Sequence, residues 1–159
     1  MRIGIISDTH GSLPPLVLKA FEGCEHIIHA GDIGGQHLLD SLEAVAPVTA
    51  VLGNCDYFGS YLTADECASV TLDGTRFFIA HDPADVDRAL RGYGDLRPGD
   101  PLPHLCVHGH THIPRNEQKG AVLMLCPGSP CRPRAGSDPS VLILEAKDGN
   151  IQSLVFVSV

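Results

Sequence analysis

The sequence predicts an α/β (α+β) fold in which two mixed sheets pack face to face, with helices on the outside. Two observations lead to this prediction. In the first third of the chain, short apolar runs alternate with segments of helical periodicity, which is the pattern of parallel strands joined by crossover helices. From residue 68 onward, strand-like runs follow one another across tight turns, and this indicates mostly antiparallel pairing.

The first half of the chain contains three predicted strands and two predicted helices. The strands are short apolar runs over 2–7, 26–30 and 48–52. A helix is predicted over 13–21, with Ser12 as its N-cap and Pro14 in its first turn. A second helix is predicted over 35–45, because Leu38, Leu39 and Leu42 fall on one helical face.

The second half begins with a hairpin signal, since Asp73-Gly74 separates strand-like runs at 69–72 and 76–80. A helix is predicted over 84–91 and a short strand over 105–107. Gly120 and Asp148-Gly149-Asn150 are turn residues between further strands that run to the C-terminus. The sequence has no linker, repeat or low-complexity tract, so a single domain over 1–159 is expected.

Composition limits the possible partners. The 159 residues are 43% hydrophobic and 19% charged, and the apolar runs are far shorter than the roughly 20 residues needed to cross a bilayer. With no signal-peptide pattern, a cytoplasmic location is expected. A net charge of -8 disfavours a nucleic-acid polymer or an anionic membrane as partner. The six cysteines include no Cys-x-x-Cys pair and are interpreted as reduced thiols.

Five clusters of metal-ligating residues follow the ends of apolar runs. They are Asp8-Thr9-His10, Gly31-Asp32, Gly53-Asn54-Cys55-Asp56, His81 and Gly109-His110-Thr111-His112. Any one Asp or Asn in such a position is also a common turn former or helix cap, and two histidines two residues apart also fit a surface strand. The joint occurrence of all five at strand ends favours a two-metal hydrolase site at one sheet edge. The flanking His29 and His108 are candidates for orienting ligands.

In this order, Asp-x-His, Gly-Asp, Gly-Asn-x-Asp, a lone His and Gly-His-x-His resemble the calcineurin-like metallophosphoesterase superfamily over essentially the whole chain. The short length, Gly-Asn-Cys-Asp, Gly-His-Thr-His-Ile-Pro and Pro127-Gly128-Ser129 resemble its small prokaryotic phosphodiesterase branch. The resemblance implies a four-layer αββα sandwich.

The same resemblance implies a dinuclear centre. One ion would be held by Asp8, His10, Asp32 and His112, and the other by Asp32, Asn54, His81 and His110, with Asp32 bridging. Imidazole, carboxylate and amide oxygen together suit two divalent transition metal ions, with Mn as the first choice and Ni, Co, Fe or Zn as alternatives. A metal-bridging hydroxide would then attack phosphorus in line with the leaving group.

The candidate catalytic residues are Asn54, Cys55 and Asp56. Cys55 stands where relatives carry a histidine that assists the leaving group; a thiol donates more weakly, so good leaving groups are expected. Asp56 either serves as the acid or closes the turn. Ser129 and Arg132 are candidate substrate contacts, with a solvated basic turn as the alternative. Asp82 replaces a glycine common in relatives and is expected to repel dianionic phosphomonoesters.

The expected function is therefore hydrolysis of small phosphate diesters. The alternatives are a phosphomonoesterase with the same centre and a non-catalytic interaction scaffold of the same fold, which would have no chemical need for all seven ligands. A nuclease is disfavoured because no basic track is evident. A homo-oligomer paired through sheet edges is left open.

Overall fold

A computed structural model describes residues 1–56, 62–93, 96, 99 and 101–159. Within these residues the chain forms ten strands and three helices. In chain order they are β1 (Arg2–Ile6), α1 (Pro15–Ala20), β2 (His26–His29), α2 (Gln36–Glu43), β3 (Val48–Ala50), β4 (Cys67–Leu72), β5 (Thr75–Ala80), α3 (Pro83–Leu90), β6 (Leu105–Val107), β7 (Arg115–Lys119), β8 (Val122–Cys126), β9 (Ser140–Lys147) and β10 (Asn150–Ser158).

The strands form two five-stranded sheets. The first has the order β10-β9-β1-β2-β3, and the second has the order β4-β5-β6-β8-β7. In the first sheet β1, β2 and β3 are parallel, as predicted, while β9 returns antiparallel to β1 and pairs with β10. The first sheet is therefore mixed.

The expectation of mostly antiparallel pairing in the second half is wrong for the centre of the second sheet. There β5 is parallel to β6, and β6 is parallel to β8. Antiparallel pairs flank this centre on both sides, β4 with β5 and β7 with β8. The reason is that α3 follows β5 as a crossover helix, and β7 lies on the outer side of β8 so that β6 and β8 run side by side.

Apolar side chains divide into three clusters that separate four layers, which confirms the predicted sandwich. The central cluster joins the inner faces of the two sheets, for example Ile5 and Ile28 with Ile79 and Val107. A second cluster packs α1 and α2 on the outside of the first sheet, and a third packs α3 on the outside of the second sheet. The resulting order is helix, sheet, sheet, helix.

The predicted Asp73-Gly74 hairpin is confirmed, because Leu72 pairs with Thr75 across the turn and both turn residues have positive φ. The first helix is shorter than predicted and begins at Pro15, after an extended Pro14 with ψ 139°. Ser12 is not its cap. A residue that precedes proline is pushed out of the helical region, so Pro14 and Pro15 together delay the start of the helix.

The second helix also covers less than the predicted 35–45, since Gly35 is its N-cap and it ends at Glu43. In the third helix Asp82 is the N-cap, and its side chain accepts a hydrogen bond from the Ala84 amide at 2.8 Å. None of the described helices has the length and apolar character to span a bilayer.

Candidate metal centre

The seven predicted ligands lie just beyond the carboxyl ends of strands from both sheets. Asp8 and His10 follow β1, Asp32 follows β2 and Asn54 follows β3 in the first sheet. His81 follows β5, and His110 and His112 follow β6 in the second sheet. Parallel strands bring their carboxyl ends to one edge, which is why side chains far apart in sequence meet here.

The first group of side chains consists of Asp8, His10, Asp32 and His112. One ligand atom from each lies within 4.8 Å of the others. His112 Nε2 is 3.2 Å from Asp8 Oδ1 and 3.3 Å from His10 Nε2, and His10 Nε2 is 3.8 Å from Asp32 Oδ2. These four residues are the set that the resemblance assigned to one metal ion.

The second group is built around the side-chain oxygen of Asn54. This Oδ1 is 3.2 Å from His81 Nε2 and 3.0 Å from His110 Nδ1. His81 Nε2 is also 3.5 Å from Asp32 Oδ1. Asp32 thus directs one carboxylate oxygen toward each group, as a bridging ligand would.

Two backbone carbonyls determine which nitrogen of the buried imidazoles faces the centre. His81 Nδ1 donates to the Ala30 carbonyl at 2.8 Å, and His112 Nδ1 donates to the Arg132 carbonyl at 2.6 Å. Since a carbonyl can only accept, Nδ1 carries the proton and Nε2 of the neutral ring presents a lone pair. No sequence signal marks these two carbonyls.

These lone pairs meet other electron-rich atoms instead of donors. His112 Nε2 faces the Asp8 carboxylate, and His81 Nε2 faces the Asn54 amide oxygen. For neutral rings such contacts are unfavourable until a cation, a proton or a metal ion, lies between the two atoms, and imidazole nitrogen with carboxylate or amide oxygen suits a divalent transition metal. The donor set therefore fits two such ions.

The backbone at the ligands is strained. Among the described residues, eight other than glycine have positive φ, and five of these are Asp8, His10, Asp32, His110 and His112. The left-handed region costs a residue with a Cβ about 1–2 kcal/mol, and such residues concentrate at functional sites. Five strained positions at one sheet edge thus support a functional interpretation.

Glycines in the motifs make room for ligands from neighbouring loops. A Cβ at Gly31 would lie 2.6 Å from His81 Nδ1, and a Cβ at Gly53 would lie 2.2 Å from both the backbone nitrogen and Oδ1 of Asp32. The glycines of the Gly-Asp and Gly-Asn motifs therefore leave room for ligands on neighbouring loops, Gly31 for His81 and Gly53 for Asp32.

Burial raises and hydrogen bonding lowers the pKa of both Asp8 and Asp32, but the net shifts of the two carboxylates are opposite. Burial raises the pKa of Asp8, although His81, Ser7 and His112 oppose this shift. For Asp32, burial also acts upward, but the Cys55 amide and the nearby His81 outweigh it, and the pKa is lowered. The Cys55 N–H donates to Asp32 Oδ1 at 2.8 Å, so Asp32 is held as the carboxylate that a bridging role requires.

Asp56 is a buried anchor of the ligand loops. Its Oδ2 accepts from the amides of Gly53 at 2.8 Å and Ile33 at 3.1 Å, and its Oδ1 accepts from Gly34 at 3.0 Å. Only 2% of the residue is exposed. These contacts support the turn-closing interpretation over the role of catalytic acid.

Cys55 is exposed beside the centre, with the Asn54 side-chain amide 3.4 Å from its sulfur. Partial burial, together with a hydrogen bond and the charge of Asp32, raises the pKa of the Cys55 thiol. At neutral pH it is an uncharged S–H group. Cys24, Cys106 and Cys131 likewise form no disulfide.

The expectation that Ser129 contacts substrate does not agree with the structure. Ser129 is fully buried; its hydroxyl donates to the Asp8 carbonyl at 2.8 Å and accepts from the Arg132 amide at 2.9 Å. It therefore supports the first ligand loop. Arg132 is exposed, and its guanidinium lies close enough to act electrostatically on His10 and Cys55.

Of the two flanking histidines, only His29 connects ligand loops. His29 Nε2 lies 2.9 Å from the Thr9 hydroxyl, which donates to the Ile33 carbonyl at 3.0 Å. The loop after β1 is thereby tied to the loop after β2. His108 instead contacts the Gly109 carbonyl and Arg115, so it orients no ligand side chain directly.

Comparisons with known proteins agree with this geometry. The family model for the calcineurin-like phosphoesterase superfamily domain matches residues 1–149. A probable metallophosphoesterase of Methanothermobacter thermautotrophicus is 35% identical over 153 residues, covering 91% of this chain and 85% of the relative.

Solved structures share the fold over nearly the whole chain. The structure of an archaeal phosphodiesterase matches with a TM-score of 0.75 and 26% identity, over 99% of this chain and 100% of the other. Vps29 of Entamoeba histolytica, in a structure complexed with zinc, matches with a TM-score of 0.73 and 18% identity, over 99% and 97% of the two chains. The second likeness shows the common fold alone.

Proposed function

The chain belongs to the calcineurin-like phosphoesterase superfamily, and we propose that it is a metal-dependent phosphodiesterase that hydrolyses small phosphate diesters. The observation that carries this proposal is the pair of ligand groups joined by Asp32. In both groups imidazole nitrogens lie 3.0 to 3.8 Å from carboxylate or amide oxygens, a set of donor atoms that suits a divalent ion.

In this proposal Asp8, His10, Asp32 and His112 hold one divalent ion, and Asp32, Asn54, His81 and His110 hold the other. Mn is our first choice, and Ni, Co, Fe and Zn are alternatives. The chemistry that two such ions supply is a water molecule made nucleophilic near neutral pH and stabilisation of the charge that develops at phosphorus. No covalent intermediate with the enzyme is required.

The chain's own residues position the reaction. The carbonyls of Ala30 and Arg132 hold His81 and His112 in the tautomer that leaves Nε2 free. Asp56 keeps the loops of Asp32 and Asn54 in register. The exposed Arg132 beside His10 is the residue we assign to a phosphate oxygen.

In this proposal Cys55 occupies the position at which relatives carry a histidine that assists the leaving group, and the thiol is the weaker proton donor. Because its pKa is raised, chiefly by partial burial, it remains a neutral thiol and donates weakly to a departing oxygen. The enzyme should therefore depend on leaving groups that depart without help, and aryl esters should react much faster than alkyl esters.

The test is metal-stripped protein supplied with Mn, Ni, Co or Mg and assayed on bis-p-nitrophenyl phosphate beside p-nitrophenyl phosphate. We expect Mn-dependent cleavage of the diester, lost in Asp32→Asn. Preference for the monoester would favour a phosphomonoesterase. Folded protein that no metal activates would overturn the enzymatic proposal in favour of a scaffold of the same fold.

A further inference from the structure

The first sheet ends in a long edge strand that carries no charge. β10 runs from Asn150 to Ser158 and pairs on one side with β9, while its other side has no neighbouring strand in the described part of the chain. Residues 150–159 contain no Asp, Glu, Lys, Arg or Pro. We propose that this edge pairs with β10 of a second copy of the chain and joins two first sheets into one continuous sheet.

Other sheet edges of the molecule are protected against such pairing. β7, at one end of the second sheet, carries Arg115, Glu117 and Lys119. The short strand β3 and the segment before β4 meet through a bridge between Val51 and Asp65. Charged side chains and short strands are two ways in which proteins prevent edge-to-edge pairing. β10 has neither of these protections.

The backbone of β10 is arranged to accept a further strand. The Val159 N–H donates to the Pro139 carbonyl at 3.0 Å, so Val159 directs its amide toward the β9 side. In an antiparallel pair this direction alternates from one residue to the next. The register with β9 is regular over 153–158, beyond the bulge near the start of β10. The amides and carbonyls of Leu154 and Phe156 therefore point away from β9.

Apolar side chains on both faces of this edge are only partly covered. Val155 lies opposite Ile143, on the face that packs against the helices, and is 54% exposed. Leu154 and Phe156 lie on the inner face and are half-buried against the central cluster. A further strand would cover parts of all three side chains, and burial of apolar surface is the main favourable term in association.

The sequence of the strand favours a second copy as the partner, because it is nearly symmetric about Val155. Antiparallel pairing of two copies about this residue places Leu154 of each copy opposite Phe156 of the other. The outward backbone groups of these two residues then meet, as a hydrogen-bonded pair requires. Val155 meets Val155 of the second copy in a non-hydrogen-bonded pair, where side chains lie closest.

Charge also favours this contact between copies. Two chains that each carry a net charge of -8 repel one another, and contact between two uncharged strands keeps that repulsion smallest. The open edge of about six residues is only about 20 Å long. Small interfaces are weak, so we expect a dissociation constant in the micromolar range.

The pairing leaves both candidate metal centres accessible. β10 is separated from β1 by β9, while the ligands of the first sheet follow β1, β2 and β3. Activity per chain should therefore be independent of pairing. The proposal goes beyond the proposed phosphodiesterase function, and the two can fail separately.

The first test is sedimentation velocity from about 1 to about 200 μM protein, a range that brackets a micromolar dissociation constant. We expect the parent chain to shift from monomer to dimer. Val155→Lys brings two lysines together at the two-fold axis and should raise the dissociation constant at least about 100-fold. The matched control is Leu16→Lys on α1, where the leucine is 55% exposed, and it should dimerise like the parent.

A parent chain that stays monomeric over the whole range would overturn the proposal. Dimers of equal affinity in all three proteins would overturn it as well, because the contact would then lie elsewhere.

Disulfide formation tests the register without placing a charge on the edge. In Val155→Cys the two Cα atoms would be about 4.5 Å apart across the axis, within the range of a disulfide. In Val157→Cys they would be roughly 13 Å apart along the strands, which is too far. Under mild oxidation we expect covalent dimers of Val155→Cys above the background that the exposed Cys55 gives in the parent chain. Equal amounts of covalent dimer in the two variants would overturn the pairing about Val155.

Discussion

Replacing Asp56 with asparagine separates the two roles that the sequence allowed for this residue. The substitution keeps the size of the side chain but exchanges one acceptor oxygen for an N–H donor group. Asparagine can retain its oxygen where Oδ2 lies and still accept from Gly53 and Ile33. Its nitrogen then faces the Gly34 amide, which also donates.

The expected loss of stability follows from these three hydrogen bonds. Two charge-assisted bonds become neutral ones, at about 1 kcal/mol each, and a buried donor is left unsatisfied, at about 1–3 kcal/mol. The sum is about 3–5 kcal/mol, a large part of the about 5–15 kcal/mol that stabilises an ordinary domain. For a chain of this length, Tm should fall by roughly 6–20 °C.

Urea denaturation and a thermal melt of Asp56→Asn measure this loss, with Asp40→Asn on the exposed face of α2 as the control. Residual activity on bis-p-nitrophenyl phosphate should keep the same dependence on pH, because Asp56 donates no proton. A variant as stable as the parent, in which the alkaline limb of the pH profile is lost, would refute the positioning role and restore the catalytic one.

Three other changes test the site and its surroundings. Gly53→Ala would bring a methyl group 2.2 Å from Asp32, and a displacement of the Asp32 side chain by about 1 Å should lower kcat/KM about 100-fold. Gly120→Ala, whose Cβ would meet nothing within 4 Å, should leave kcat/KM unchanged. Equal losses of kcat/KM in the two variants would contradict this explanation. Mn at 100 times its Kd should stabilise the protein by about 2.7 kcal/mol in a thermal melt, and the same shift in Asp32→Asn would place the ion elsewhere. Burial lowers the pKa of His29 from 6.5 to about 3, so as pH falls the unfolded chain takes up the proton before the folded protein does. Urea denaturation should show that the free energy of unfolding decreases by about 1.4 kcal/mol per pH unit between roughly pH 6 and pH 4. The same slope in His29→Gln would argue against His29 as its source.

Strand ends and ligand types could be predicted from the sequence because both depend on local patterns. The apolar runs that end before Asp8, Asp32 and His81 can each be recognised from their own residues, and parallel strands bring the ends of such runs together. The parallel centre of the second sheet was not predictable in this way. It depends on β8 returning beside β6, and a short strand carries no mark of its neighbour.

The roles of Ser129 and Asp56 show the same limit within the site. Each is a polar residue in or next to a motif; sequence proximity suggested substrate contact for Ser129 and left acid catalysis and turn closure open for Asp56. In the structure both are buried and hold backbone groups of the ligand loops. Whether a polar side chain faces the cleft or the backbone depends on loop conformation, which the residue type does not determine.

Each ligand group contains residues that follow strands of both sheets, and this has a mechanical consequence. Within the first group Asp8 belongs to one sheet and His112 to the other, and within the second Asn54 and His81 are divided in the same way. Ions bound there would link the two sheets and restrict the movement of one sheet relative to the other. Loading the protein with metal should therefore slow hydrogen exchange in β1 and β6, the strands that lead directly into ligand loops of the two sheets.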